Sequence, residues 1–307
     1  MFYRLLQLII IFIFLILSAE LISRGTEKLE PFMGQGMAGG IIMGLLTALP
    51  ETIFVIVASL RNQPYVALGS AIGGNVLLFT FGIGFLGIYF YLRWRKNLSI
   101  NEDYSVEERF LIITTIALAI ILFYGHLNVY TAIPLLGIYL YYAIYRVRKF
   151  AKEDRDIDEK EVLKAVIYLV IGAFILIIFS DPFVEELASL SKQLGVPTVW
   201  LALIISPLAG EIEETLSAIR LAHSYEAGGS LAIFDFVGSK IQNGTVLLGI
   251  IGLFSDISIM PGLNELIATL VVNVIAIMIL MDKKLGVKES VVLLFLYFLI
   301  ATMTLYL

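Results

Sequence analysis

The 307-residue chain contains no cysteine and two histidines. The first absence excludes disulfides, thiolate metal sites and cysteine nucleophiles. Two histidines are too few for a histidine metal cluster, and neither lies inside a long apolar run, so soft or borderline metals are poorly served. Charge is scarce as well. Only 15% of residues are charged and 59% are hydrophobic, against about 25% and 45–50% in soluble domains; the mean hydropathy is +0.93. These figures describe an integral membrane protein. The net charge of −5 identifies no partner, and nothing points to nucleic acid. No nucleophile–base pair suggests an intramembrane enzyme, so the expectation is a non-enzyme without a cofactor.

A membrane span needs about 20 apolar residues. Ten stretches qualify: 4–23, 37–60, 66–92, 109–125, 128–146, 162–181, 196–222, 228–254, 263–281 and 286–306. The N-terminal run has no small-residue cleavage site and is expected to be a retained first span. Gly125-His126-Leu127-Asn128 splits a run too long for one helix. The long polar segment, Arg146 to Lys164, divides the chain into two sets of five spans. The expected units are 1–147, a linker 148–161, and 162–307.

With that linker on the cytoplasmic face, 17 of the 21 Lys and Arg fall inside and three outside (Arg4, Arg61 and Lys192), with Lys240 left within a span. So strong a bias predicts both termini outside. Five spans per half then invert the second half relative to the first.

The halves carry matching signals at 37–79 and 199–246. Each first span ends in an acid (Glu20, Asp181), and each second span holds Pro, Gly and Glu at mid-depth before ending in Arg61 or Arg220. Each third span has a Gly-rich polar break, Gly73-Gly74-Asn75 or Gly238-Ser239-Lys240. Interrupted spans at corresponding places in inverted halves are the best sequence pointer to a transporter's binding site. Duplicated filler helices would not predict acids at matching depth.

Pro50-Glu51 lies at the middle of the second span. A charge at bilayer centre costs about 3 kcal/mol on insertion scales, so Glu51 reads as a buried cation ligand. Proline frees a carbonyl upstream, and broken membrane helices line ion sites with such groups. Thr47 adds a hydroxyl or its freed carbonyl. Oxygen ligands of high charge suit a hard cation such as Ca2+. At 100° per residue Glu211 and Glu214 share a face while Glu213 points away; the former two are assigned to the site, and Glu213 is expected to meet a partner such as Lys240 or a water-filled cavity. The third spans contribute Ser70 and Asn75, and Asp235, Ser239, Gln242 and Asn243. For Ser70 and Thr47 interhelical hydrogen bonding is the competing explanation. A buried ammonium pairs with a carboxylate or loses its proton, and Lys240 so placed would take the place of a cation. GQGMAGG (34–40) has no preceding strand and no following Lys-Ser/Thr, so it is read as helix packing, not a phosphate loop. His223 is expected at a helix end near the interface.

On these residues the chain resembles the Ca2+:cation antiporter superfamily, which includes Na+/Ca2+ and Ca2+/H+ exchangers. Thr47-Ala48-Leu49-Pro50-Glu51 resembles the Thr-Ser-Leu-Pro-Glu motif of the Na+/Ca2+ exchangers, with Ala48 in place of the serine. Pro207-Leu208-Ala209-Gly210-Glu211-Ile212-Glu213-Glu214 is similar to the Pro-aliphatic-aliphatic-Gly-Asn-Ala-Ala-Glu motif of the Ca2+/H+ exchangers, and Gly238-Ser239-Lys240-Ile241-Gln242 resembles their Gly-Ser-x-x-Gln. The resemblance implies ten transmembrane helices in an all-α fold of two inverted five-helix repeats, with Glu51 and Glu214 as Ca2+ ligands and Glu211 where the family has Asn. Asn243 stands where the Na+-type pattern has Asp. Fewer neutral oxygens and extra carboxylates lean toward protons as the counter-ion.

The expected function is exchange of Ca2+ for H+ or Na+ by alternating access, in the cell membrane of a prokaryote, with small inorganic cations and the lipid bilayer as partners. Glu51, Glu214, Glu211, Thr47, Asn75, Asp235, Gln242 and Asn243 form the expected cation site, with Lys240 and Glu213 as internal counter-charge. The competing expectation is a channel or a structural protein whose acids pair with Lys240 and Arg220.

Overall fold

The computed structural model describes residues 2–33, 46, 48–100, 104–150 and 159–306. Ten helices carry nearly all of them: α1 Phe2–Met33, α2 Leu49–Leu60, α3 Pro64–Trp94, α4 Ser105–Tyr124, α5 Val129–Phe150, α6 Glu159–Leu194, α7 Thr198–Ser224, α8 Gly228–Phe254, α9 Leu263–Asp282 and α10 Val287–Tyr306. Each expected span has its helix. In α1, α3, α6, α8, α9 and α10 length and apolarity alone suffice to cross a membrane. Among the rest, α7 carries its acids at mid-helix, and α2 is described only from Leu49, with 37–45 and Thr47 outside the described residues. The glycine-rich stretch 34–40 is outside them too.

The two first helices of the halves overrun their expected ends. α1 has 32 residues and α6 has 36. Their continuations, rich in Glu, Lys and Leu, keep helical propensity, and Glu20 pairs with Arg24 one turn on, at 2.7 Å. Lys28 of α1 meets Glu161 of α6 at 2.6 Å, and Asp181 of α6 meets Arg61 at the end of α2.

The inverted symmetry is visible in reciprocal contacts. A Cβ on Gly25 of α1 would lie 2.9 Å from the Ala165 carbonyl oxygen, and one on Gly172 of α6 would lie 2.9 Å from that of Ser18. Each first helix therefore uses a glycine to bring the other's backbone close, the small-residue packing that membrane helices rely on. Two short antiparallel ribbons repeat the pattern: β1 (Leu98–Ser99) pairs with β4 (Lys284–Leu285), and β2 (His126–Leu127) with β3 (Ile257–Ser258). Each joins a loop of one half to a loop of the other, and inversion exchanges the two. Gly125, at φ 80°, supplies the left-handed turn before β2 that the sequence predicts.

At the centre run α3 and α8, 83% and 89% buried in their apolar windows, whereas α6 is 17% buried and faces lipid. Small residues make the central position possible. Gly69 and Gly73 of α3 press on the backbone of Val199 and Leu203 in α7. Pro207 leaves the Leu203 carbonyl without its helical donor, and that oxygen is the atom nearest the bare face of Gly73. Both central helices then widen into a π-turn, at Leu77–Gly82 and at Asn243–Leu247. Inside or beside each turn a threonine hydroxyl bonds back to a carbonyl one turn earlier: Thr80 to Val76, and Thr245 to Ile241 at 2.6 Å. Such back-bonding bends helices, and π-turns concentrate at functional sites.

Candidate cation-binding site

Glu51 stands in the first turn of α2, directly after Pro50, and is 8% exposed. Among the described residues this helix begins at Leu49, so the carboxylate belongs to its electropositive first turn. Across from it is Gly210 of α7, where a Cβ would lie 2.0 Å from Glu51 Oε1. The absence of a side chain at Gly210 is what lets the acid of one half reach the acid-bearing helix of the other. A small cavity there is lined by Glu51, Ser70, Ser206, Gly210 and Glu211, between Pro50 and Pro207.

Glu211 is one helical step further on and 1% exposed. Its Oε1 accepts from the Lys240 ammonium and, at 3.2 Å, from the Asn243 amide. Gly74 of α3 clears the space, since a Cβ there would lie 2.1 Å from the same oxygen. Its Oε2 has no hydrogen-bond partner among the described residues. Glu214 accepts from the Ser239 hydroxyl at 2.7 Å. Both carboxylates thus face α8, as the 100° spacing requires. Glu51, Glu211, Glu214 and Lys240 lie close enough to act on one another electrostatically.

Lys240 is fully buried and paired with Glu211. Glu211 holds the ammonium because it lies on the face turned to α8. The side chain of Glu213 is outside the described residues, as is Thr47.

The amides form a ring around this centre. Asn75 donates to Asn273 of α9 at 3.0 Å and approaches the Lys240 carbonyl at 3.5 Å. Gln242 accepts from the Tyr139 hydroxyl at 2.9 Å. Oδ1 of Asn75, Oδ1 of Asn243 and the Ser206 hydroxyl are buried with no partner among the described residues. Unsatisfied buried oxygens are costly, and here they sit in the turns of helix that border the carboxylates. No three acids or histidines close into a ready-made metal cluster among the described residues. A bound cation would therefore draw on these neutral oxygens too, as a Ca2+ shell of about six to eight oxygens does.

Asp235 is not brought to this centre. It is exposed and acts on Arg146 at the end of α5. Arg146 also meets the fully buried Glu107 of α4 at 3.5 Å and lies over the Phe234 ring. The sequence reading missed Asn273, Ser206, Glu107 and Tyr139. Asn273 was findable as a polar residue inside an apolar run, and Ser206 by its place beside Pro207. Glu107 was hidden at the edge of its span, and a tyrosine in a tyrosine-rich helix carries no signal. His223 is at the helix end expected of it, with Nδ1 2.7 Å from the Tyr89 hydroxyl.

A family model described as "Sodium/calcium exchanger protein" matches residues 3–148 and 164–306. The inner membrane protein YrbG of Escherichia coli (strain K12) is 21% identical over 237 residues, 73% of this chain and 70% of that protein. The sodium/calcium exchanger NCL of Arabidopsis thaliana is 30% identical over 89 residues, 29% of this chain; the match spans 15% of the plant protein's length. Among solved structures, the H+/Ca2+ exchanger CAX superposes with a TM-score of 0.82 at 20% identity, covering 98% of this chain and 85% of that one. The sodium-calcium exchanger NCX_Mj gives 0.65 at 17% identity, over 94% and 93%.

Proposed function

The chain belongs to the sodium/calcium exchanger protein family, within the Ca2+:cation antiporter superfamily, and we propose that it is a secondary active antiporter exchanging Ca2+ for H+ or Na+. Glu51 and Glu214 are the central ligands in this reading. Glu211, Asn75, Asn243 and Gln242 surround them, with Thr47 at the Pro50 break. Ca2+ and the counter-ion compete for the same carboxylates, which couples their fluxes without ATP. Alternating access exposes the site to one face at a time. The observation that carries the reading is the meeting of Glu51, from one inverted half, with the Glu211–Glu214 face of the other across Gly210.

Protons are the favoured counter-ion, because the three carboxylates of the site can trade protons for Ca2+. In this reading both termini lie outside the cell membrane of a prokaryote with 148–161 as the cytoplasmic linker, an orientation that the cation bias of the loops supports. Reconstitution in liposomes tests the whole reading. An imposed pH or Na+ gradient is expected to drive radioactive Ca2+ movement that Glu51→Gln abolishes. Ca2+ movement with no counter-flow would mean a channel. Movement under neither gradient would leave a membrane protein whose acids are internally paired, as the Glu211–Lys240 contact alone suggests.

A further inference from the structure

A lysine ammonium at the centre of a cation site is out of place unless it counts as one of the cations. Lys240 is 0% exposed, and its ammonium pairs with Glu211 while Glu51 and Glu214 act on it electrostatically. Its backbone adds to the arrangement: the Lys240 carbonyl lies 3.5 Å from the Asn75 amide, and the π-turn begins three residues on, at Asn243. Asn243 donates to the same Glu211 oxygen as the ammonium. Glu211 is therefore saturated on one oxygen by this chain's own donors, and Gly74 gives it room to be there.

We propose that Lys240 is a tethered cation which permanently fills one cation position of the transport site and makes the exchange electroneutral. The inference rests on the exchanger reading above and adds its charge balance. Glu51, Glu211 and Glu214 carry three negative charges when ionised, and Lys240 returns one positive charge, leaving two negative. One Ca2+ balances two charges, and so do two monovalent counter-cations. A cycle that carries one Ca2+ one way and two monovalent ions the other moves no net charge. Because the lysine is part of the chain, its charge cannot be left behind on either face. Burying the ammonium with Glu211 also meets the general requirement that a desolvated charge have a hydrogen-bonded partner.

The test is the voltage dependence of exchange in proteoliposomes clamped with valinomycin and a K+ gradient. Wild type is expected to reach the same steady-state Ca2+ ratio with and without an imposed potential. One net charge per cycle would instead shift that ratio about 50-fold for 100 mV. Lys240→Met leaves three negative charges and is expected either to recruit a third monovalent cation and show that shift, or to lose exchange. Lys240→Met with Glu211→Gln restores the balance, and its exchange is expected to be voltage-independent.

A wild type that exchanges Ca2+ with the 50-fold shift overturns the tethered-cation role and leaves the exchanger reading intact. So does Lys240→Met that stays voltage-independent at the wild-type rate, or a loss of exchange shared by the single and double variants. A wild type that moves no Ca2+ under either gradient fails at the earlier step.

Discussion

The fourth and fifth helices of the two halves offer a direct comparison. In each half the fourth helix carries a buried acid in its first turn, Glu107 in α4 and Glu265 in α9. Each fifth helix carries a buried tyrosine, Tyr139 or Tyr297. There the likeness ends. Glu107 is met by Arg146 at 3.5 Å and by the Tyr142 hydroxyl at 3.4 Å, and Tyr139 reaches on to Gln242. Around Glu265 no basic side chain is paired with it among the described residues, and Tyr297 packs edge-on against Phe81 instead. The central helices differ in the same sense. Gly69 presses on the α7 backbone, while a Cβ on Gly238 would lie 3.1 Å from the Tyr142 hydroxyl and 3.3 Å from the Arg146 guanidinium. Inversion repeats the scaffold, and charge is distributed on it unequally.

The largest effect should come from the residues on which both halves depend. Glu51→Gln and Glu214→Gln are each expected to weaken Ca2+ binding at least about 100-fold, since losing a partner one layer outside a metal ligand already costs 10–100-fold. Calorimetric Ca2+ titration of the detergent-purified protein checks this. A loss at only one of the two would break the symmetry of the site.

Next comes the compensated corner. Arg146→Met strands Glu107 in apolar surroundings. Because about a third of the Arg146 side chain reaches solvent, the cost should fall below that of a fully buried pair, at about 2 kcal/mol. Thermal unfolding in detergent measures it. A stability unchanged by the substitution would mean that the corner is held by packing alone.

Gly210→Ala meets only the flexible end of Glu51, so it should lower Ca2+ affinity about 10-fold at unchanged stability. Gly73→Ala meets the backbone of Leu203 and should cost about 1–3 kcal/mol of stability. If both variants behave alike, the distinction between a cradled ligand and a packed helix is wrong.

The smallest effect is expected at the uncompensated corner. Glu265→Gln removes a buried carboxylate that has no basic partner among the described residues, so stability should hold or rise by up to about 1 kcal/mol. Glu107→Gln, by contrast, should lower stability. Equal responses would erase the difference between the corners.

Much of this was legible beforehand because it rests on strong local physics. Apolar runs of span length declare themselves, and an acid or proline inside one has few structural excuses. Hence Glu51, Glu211, Glu214, Pro50 and Pro207 stood out, and so did the pairing of the halves. What stayed hidden depends on register across helices. Nothing local distinguishes Glu211 from Glu213 as the partner of Lys240 except which face meets α8. Arg146 reads as the start of a polar linker, yet its guanidinium turns back onto Glu107. Asp235 looks like a buried acid by its place in an apolar run, but it lies on an exposed face. The π-turns leave no trace beyond Thr80 and Thr245, and the overruns of α1 and α6 follow polar sequence that signals surface rather than an end.

The two ribbons carry a consequence for biosynthesis. Leu98–Ser99 is made early and pairs with Lys284–Leu285, which leaves the ribosome near the end of translation; His126–Leu127 waits likewise for Ile257–Ser258. The first five helices are thus inserted with two strand edges unclosed, and neither half can complete a ribbon by itself. Assembly must be post-insertional, with the late hairpins acting as clasps that fasten the early ones on both sides of the bilayer.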